Sequence, residues 1–262
     1  MNLLLIIDAQ NDFADPKGTL FTPGADKDCL RLSDFLHNNE KHFDQLIMTM
    51  DSHPQFHIAH PLFWKKADGS EVEPFTTITV NDFNEGKYKP AVAELAPAVK
   101  EYLLSLESRG KFQLTIWPPH CLIGSNGRCI VKPVFDAASS WEKNHIGKQI
   151  IYIDKALNPM TEHYSAVQAE VPDPNDERTR TNYYLIDKLK EADNIYVAGE
   201  CLSHCVGNTL RDLFIYIKPE NITLITDCTS SVVGFEEKGK SLLEEFKSKG
   251  MKTITSDSII GE

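Results

Sequence analysis

The feature that most restricts this chain is a series of short, largely apolar runs, most of them ending close to a side chain able to do chemistry. The run at 3–7 stops at Asp8, and the run at 46–50 stops at Asp51 with His53 two residues on. Further runs lie at 112–117, 150–153, 194–198 and 222–226; His120, Lys155 and Cys205 come soon after the first, second and third of these. Such runs, apolar without alternation, are the pattern of strands buried on both faces. Between them, helical patterns cover 28–38, 91–108, 181–191, 206–216 and 236–249. Strand followed by helix, repeated, predicts a doubly wound α/β fold with a mainly parallel, six-stranded sheet and right-handed crossovers. The carboxyl ends of parallel strands share one edge, where ligands bind. Asp8, Asp51, His53, His120, Lys155 and Cys205 should therefore converge.

Composition narrows the partners. With 262 residues the chain can bury a large core, and we read 1–262 as a single domain with an insertion at about 60–111. A formal net charge of −11 and a pI near 5.3 oppose nucleic acid or an anionic membrane as partner and leave a small neutral or cationic molecule open. The run at 3–7 is too short for a signal-peptide core or a membrane span. Six cysteines without a secretory segment are read as free thiols in a reducing cytosol. Whether copies assemble into a homo-oligomer stays open.

Cys205 follows a strand where a helix should begin, so the helix dipole and free N–H groups should lower its pKa and hold an oxyanion. A lone cysteine is more often a structural thiol, and Cys201 with Cys205 could form a redox or metal pair at a spacing other than Cys-x-x-Cys. Asp8 at a buried strand end suits a general base, although a loop-capping aspartate explains the segment equally well. Lys155 would ordinarily be a solvated lysine; its place after an apolar strand argues otherwise. Asp51 and His53, two apart on an extended segment, point the same way and could bind one ion with His120 as a third ligand. Zn²⁺ suits this set, with Fe²⁺ or Mn²⁺ as alternatives. His57 and His60 are outer-shell or alternative ligand candidates.

These pieces, in order, resemble the isochorismatase-like cysteine hydrolase superfamily, and within it the nicotinamidases. The matching stretches are Ile7-Asp-Ala-Gln-Asn-Asp-Phe13, Asp51-Ser-His-Pro-Gln-Phe-His57, Trp117-Pro-Pro-His-Cys121, Lys155 with Tyr164-Ser-Ala166, and 199–206. The resemblance implies a triad of Asp8, Lys155 and Cys205, a metal set of Asp51, His53 and His120, and ring-stacking by Phe13 and Trp117. It further implies an oxyanion pocket from the Glu200–Cys201 region and the Cys205 N–H, including a non-proline cis peptide. The implied activity is hydrolysis of nicotinamide to nicotinate and ammonia in NAD salvage.

The chain departs from that pattern in four places. His204 stands where tyrosine is common before the nucleophile, the segment Glu200-Cys-Leu-Ser203 is atypical, Ala156 follows the lysine in place of glycine, and the spacing from His53 to His120 is long. With Cys201, His204 is a candidate substrate contact. Another small carboxamide as substrate, a non-catalytic metal- or ligand-binding relative, and a Cys201–Cys205 redox protein are the competing readings.

Overall fold

The computed structural model describes residues 1–110 and 113–260. Six strands form one parallel sheet: β1 (Asn2–Ile7), β2 (Gln45–Asp51), β3 (Ile151–Lys155), β4 (Asn194–Gly199), β5 (Ile222–Ile225) and β6 (Lys252–Ile254). Their order is β6-β5-β4-β1-β2-β3. The helices that matter here are α1 (Ala25–Asn39), α2 (Ala96–Ser108), α3 (Lys132–Asn144), α4 (Tyr183–Lys190), α5 (Gly207–Leu213) and α6 (Glu236–Ser248).

Alternation along β1 divides the core between the two faces of the sheet. Leu4 and Ile6 pack with Leu32 and Phe35 of α1 and with Val134 and Trp141 of α3. Leu3, Leu5 and Ile7 belong to the opposite cluster, which includes Leu103 of α2, Ile186 of α4, Leu210 of α5 and Phe246 of α6. β1 is paired with β2 on one side and β4 on the other. The strand order therefore reverses between β1 and β4, which opens a crevice at their carboxyl ends.

Two expectations need correcting. The run at 112–117 is not a strand of the main sheet: Leu114–Thr115 pairs antiparallel with Thr77–Ile78 in a separate ribbon, and Phe112 lies outside the described residues. Leu114 and Ile116 are apolar because they are buried beside Ile78 and Val72 in the cluster under that ribbon. The sixth place in the sheet goes to β6, an edge strand with two exposed residues and no apolar run. Helix α3, which no pattern above covered, buries only Val134, Ala138 and Trp141 and starts with a proline in its first turn.

Candidate active site

β1, β2 and β3 end side by side, and each delivers one charge. Asp51 and Lys155 are direct neighbours in the β2–β3 register. Lys155 is 2 % exposed, yet its Nζ lies 2.9 Å from Asp8 Oδ2, 2.9 Å from Asp51 Oδ1 and 3.4 Å from Cys205 Sγ. Burial penalises the ammonium, but Asp51, Asp8 and Cys205 outweigh it and hold its proton well above the ordinary lysine range. Asp8 has a left-handed backbone (φ 46°); its N–H and Oδ1 are both engaged by Thr49, the hydroxyl bond being 2.6 Å. Burial raises the Asp8 carboxyl, while Lys155 pulls it back.

Cys205 sits in a π-helical turn, Leu202–Val206, that runs directly into α5. Contrary to the lowered pKa expected at a helix start, its thiol is pushed well above the ordinary range. Burial is the main cause; Lys155 acts against it, and Asp8 and Asp51 reinforce it. The resting thiol is neutral, so a nucleophile has to be made by proton removal.

His120 does not come from an adjacent sheet strand but from the loop after the 114–115 ribbon. The Trp117 N–H bonds the Ala59 carbonyl (2.7 Å), the His53 N–H bonds the Cys121 carbonyl (3.1 Å), and the Cys121 N–H bonds the Asp12 carboxylate (2.6 Å). Gln10 fixes Asp51 by accepting its N–H and donating to its carbonyl, each at 2.8 Å. The side chains then meet: Asp51 Oδ2 lies 3.1 Å from His53 Nε2 and 3.3 Å from His120 Nε2. The His120 Nδ1–H donates to the Pro118 carbonyl at 2.8 Å, which turns Nε2 toward Asp51 and the other rings.

Hydrogen bonds separate the two remaining histidines. His57 accepts the Ala59 N–H at Nδ1 and donates from Nε2 to the Thr161 carbonyl, both at 3.2 Å, so it is committed to the wall. His60 is buried, and among the described residues neither ring nitrogen makes a hydrogen bond of good geometry. Ligand atoms of His53, His60 and His120 all lie within 4.8 Å of one another. Lone pairs of three imidazoles converging beside a carboxylate are the donor set of a divalent cation, and these residues fit one.

Phe13, Trp117, Cys201 and His204 line one small cavity with Asp51, His120 and Cys205. Four further lining residues, Leu20, Glu162, Tyr164 and Val232, had been assigned no role from sequence. Trp117 donates to the Tyr164 hydroxyl at 3.0 Å and meets the His204 ring edge-on at 5.2 Å. Burial, and then Lys238, hold His204 well below the ordinary histidine range, so its ring is neutral. The Cys201 thiol contacts the Thr22 hydroxyl at 3.2 Å, and the Glu200–Cys201 peptide is cis.

A buried thiol, a carboxylate and an ammonium thus meet at the switch point of a parallel sheet, and the fold is the isochorismatase-like one shared by solved nicotinamidases and pyrazinamidases. The nicotinamidase of Saccharomyces cerevisiae is 26% identical over 209 residues, spanning 80% of this chain and 79% of that one. The yeast nicotinamidase bound to the inhibitor nicotinaldehyde superposes with a TM-score of 0.68 at 21% identity, over 97% of this chain and 100% of the other. The zinc-bound pyrazinamidase of Pyrococcus horikoshii gives a TM-score of 0.59 at 20% identity, over 97% and 98% of the two chains. No protein-family model matches the chain. Among the described residues, no helix is long and apolar enough to cross a membrane.

Proposed function

We propose that this protein is a metal-dependent amidohydrolase that converts nicotinamide to nicotinate and ammonia through a thioester on Cys205. The observation that carries the reading is Lys155, one ammonium touching a thiol and two carboxylates on the edge of an aromatic-lined cavity. The yeast relative that binds nicotinaldehyde supports this choice of substrate over other carboxamides.

In this mechanism Asp8 takes the proton of Cys205 while Lys155 keeps the new thiolate and the carboxyl group together. The sulfur attacks the carboxamide carbon, and the N–H groups of Cys201 and Cys205 receive the oxyanion. Asp8 returns its proton to the leaving nitrogen, the C–N bond breaks and ammonia departs. Water then attacks the thioester with Asp8 again as base; the C–S bond breaks and the thiol is restored. Phe13 and Trp117 hold the ring. Asp51, His53 and His120, with His60 beside them, would hold the divalent ion, Zn²⁺ before Fe²⁺ or Mn²⁺. Such an ion, when bound, supplies a Lewis acid that fixes and polarises a ring nitrogen. We read the stretch at about 60–111 as an insertion whose role is to bring Trp117 and His120 over the strand ends.

The test is ammonia release from nicotinamide by metal-replete protein, run beside Cys205→Ala and a chelator-treated sample. Release that disappears in both controls supports the reading; release that survives Cys205→Ala sinks it. Activity on other small amides but not on nicotinamide would keep the chemistry and replace the substrate.

A further inference from the structure

Behind the pocket wall that carries Cys201 lies a second buried ionic cluster, unused by the chemistry above. Glu200, at the end of β4, is 0 % exposed, and Asp28 in the first turn of α1 is 3 % exposed. Arg31, one helical turn further on, pairs with Asp28 and lies 3.8 Å from the carboxylate of Asp227 in the loop after β5. The other titratable groups packed here are the thiols of Cys29, Cys201 and Cys228, all raised chiefly by burial and therefore uncharged near neutrality. One partly exposed guanidinium thus pairs with Asp28 and Asp227, and among the described residues no cation is paired with Glu200. Two buried carboxylates, Asp28 and Glu200, beside one such cation do not both stay ionised.

The surroundings decide which one keeps a proton. Asp227 is partly hydrated, with a third of its side chain exposed. Asp28 has the guanidinium and accepts the Ser230 hydroxyl. Among the described residues Glu200 has one donor, the Ser230 N–H on Oε2 at 3.1 Å, and its buried Oε1 meets none. A donorless, buried carboxyl oxygen beside a carboxylate is where a proton belongs.

We propose that Glu200 is a positioning residue, kept as a neutral carboxylic acid whose O–H donates to Asp28 and so fixes the 200–202 segment beside the nucleophile. Ser230 closes the knot: its N–H holds Glu200, its hydroxyl holds Asp28, and its carbonyl accepts the Leu202 N–H at 2.8 Å. Cys201 lies between the two tethered residues, with the Glu200 N–H bonded to the Ile7 carbonyl at 2.7 Å. The inference rests on the reading that the Cys201 N–H receives the oxyanion. Ionising Glu200 sets two like charges together and loosens that donor, so kcat should fall at alkaline pH while KM changes less.

Stability should follow the same proton. Burial, and then Asp28, hold the Glu200 carboxyl well above the ordinary glutamate range. The folded state therefore keeps a proton that the unfolded chain releases. Stability falls as pH rises from that ordinary range to the titration of Glu200 itself, and is level beyond it.

Glu200→Gln keeps the shape and both hydrogen bonds but cannot ionise. Its kcat for nicotinamide near neutrality should match the parent within about twofold, and its alkaline limb should lie at least ~1 pH unit higher. Coincident alkaline limbs, or a folded Glu200→Gln that is inactive at neutral pH, would overturn the proposal. Should the variant not fold, infrared spectra of the parent labelled with carbon-13 glutamate decide the matter. A protonated-carboxyl band that moves with the label at neutral pH supports the proposal, and its absence overturns it. The infrared result stands even where nicotinamide is not the substrate, which separates this inference from the functional reading.

Discussion

The site has two halves that share Asp51, and they differ in how their charges are met. Around Lys155 the charges meet directly: one ammonium contacts both carboxylates and the thiol, and Asp8 Oδ2 is met by this ion pair alone, without a hydrogen bond, among the described residues. Around His60 two imidazole nitrogens crowd the same carboxylate oxygen, and a third imidazole has, among the described residues, no hydrogen bond on either nitrogen. Buried groups without partners are costly. The first half is held by ion pairs within the protein; the second presents the donor set of a divalent cation. The difference teaches how to tell a proton-transfer cluster from a metal cluster by counting donors against acceptors.

Breaking the ion-paired half should have the largest effect. Lys155→Met leaves Asp8 and Asp51 buried without their cation, which should cost about 3–5 kcal/mol of stability and at least ~10³-fold in rate. Urea unfolding and ammonia release measure the two losses. Parental stability in this variant would show that the carboxylates are not paired as described.

Acid should discriminate next. Burial, reinforced by His53, holds His57 well below the ordinary histidine range, and burial with Lys155 takes His163 down to about 3. Each binds a proton in the unfolded chain before it does in the folded one. The stability present above about pH 6.5 is therefore lost as pH falls toward the folded-state titration, by up to ~1.4 kcal/mol per histidine per pH unit. Unfolding midpoints should drop steadily between about pH 6.5 and 5. Measured in Glu200→Gln, which removes the opposing carboxyl, a flat profile there would mean that these rings are charged in the fold.

The histidine half makes a smaller and more selective prediction. His60→Ala should weaken Zn²⁺ binding about 10- to 100-fold, whereas His57→Ala should act on stability more than on Kd, because its nitrogens are spent on Ala59 and Thr161. Competition against a chromophoric chelator gives both constants. Equal losses would erase the distinction between ligand and wall.

The ion-paired half was the more legible in sequence, for a physical reason. Asp8, Asp51, Lys155 and Cys205 stand at or soon after the ends of apolar strands, and a parallel sheet brings such ends to one edge whatever the intervening chain does. The second half depends on hydrogen bonds that sequence does not display. His57 and His60 sit in similar surroundings along the chain, and only the partners of their ring nitrogens tell them apart. The run at 112–117 misled because apolarity reports burial, not membership of a particular sheet. β6 escaped because an edge strand needs few apolar residues, and α3 because three buried positions among polar ones make a faint stripe. Glu200 enters the sequence reading only through the backbone of the Glu200–Cys201 region; what its side chain meets is seen only from its place behind the pocket wall.

The smallest effect tests the backbone that joins the halves. Ala156, directly after Lys155, is held at φ 63°, a conformation that opposes any side chain with a Cβ, and its N–H reaches His163 Nδ1 at 3.3 Å. Relief of the Cβ clash is worth roughly 1–2 kcal/mol, and glycine gives back about half to all of 1 kcal/mol through the entropy of the unfolded chain. Ala156→Gly should therefore raise stability by about 1 kcal/mol or less, with nicotinamide turnover unchanged because the Lys155 contacts are untouched. Differential scanning calorimetry beside a kcat measurement separates the outcomes. A Tm that rises while kcat falls would mean that the alanine's stiffness, and not only the strand register, aims the ammonium at Cys205.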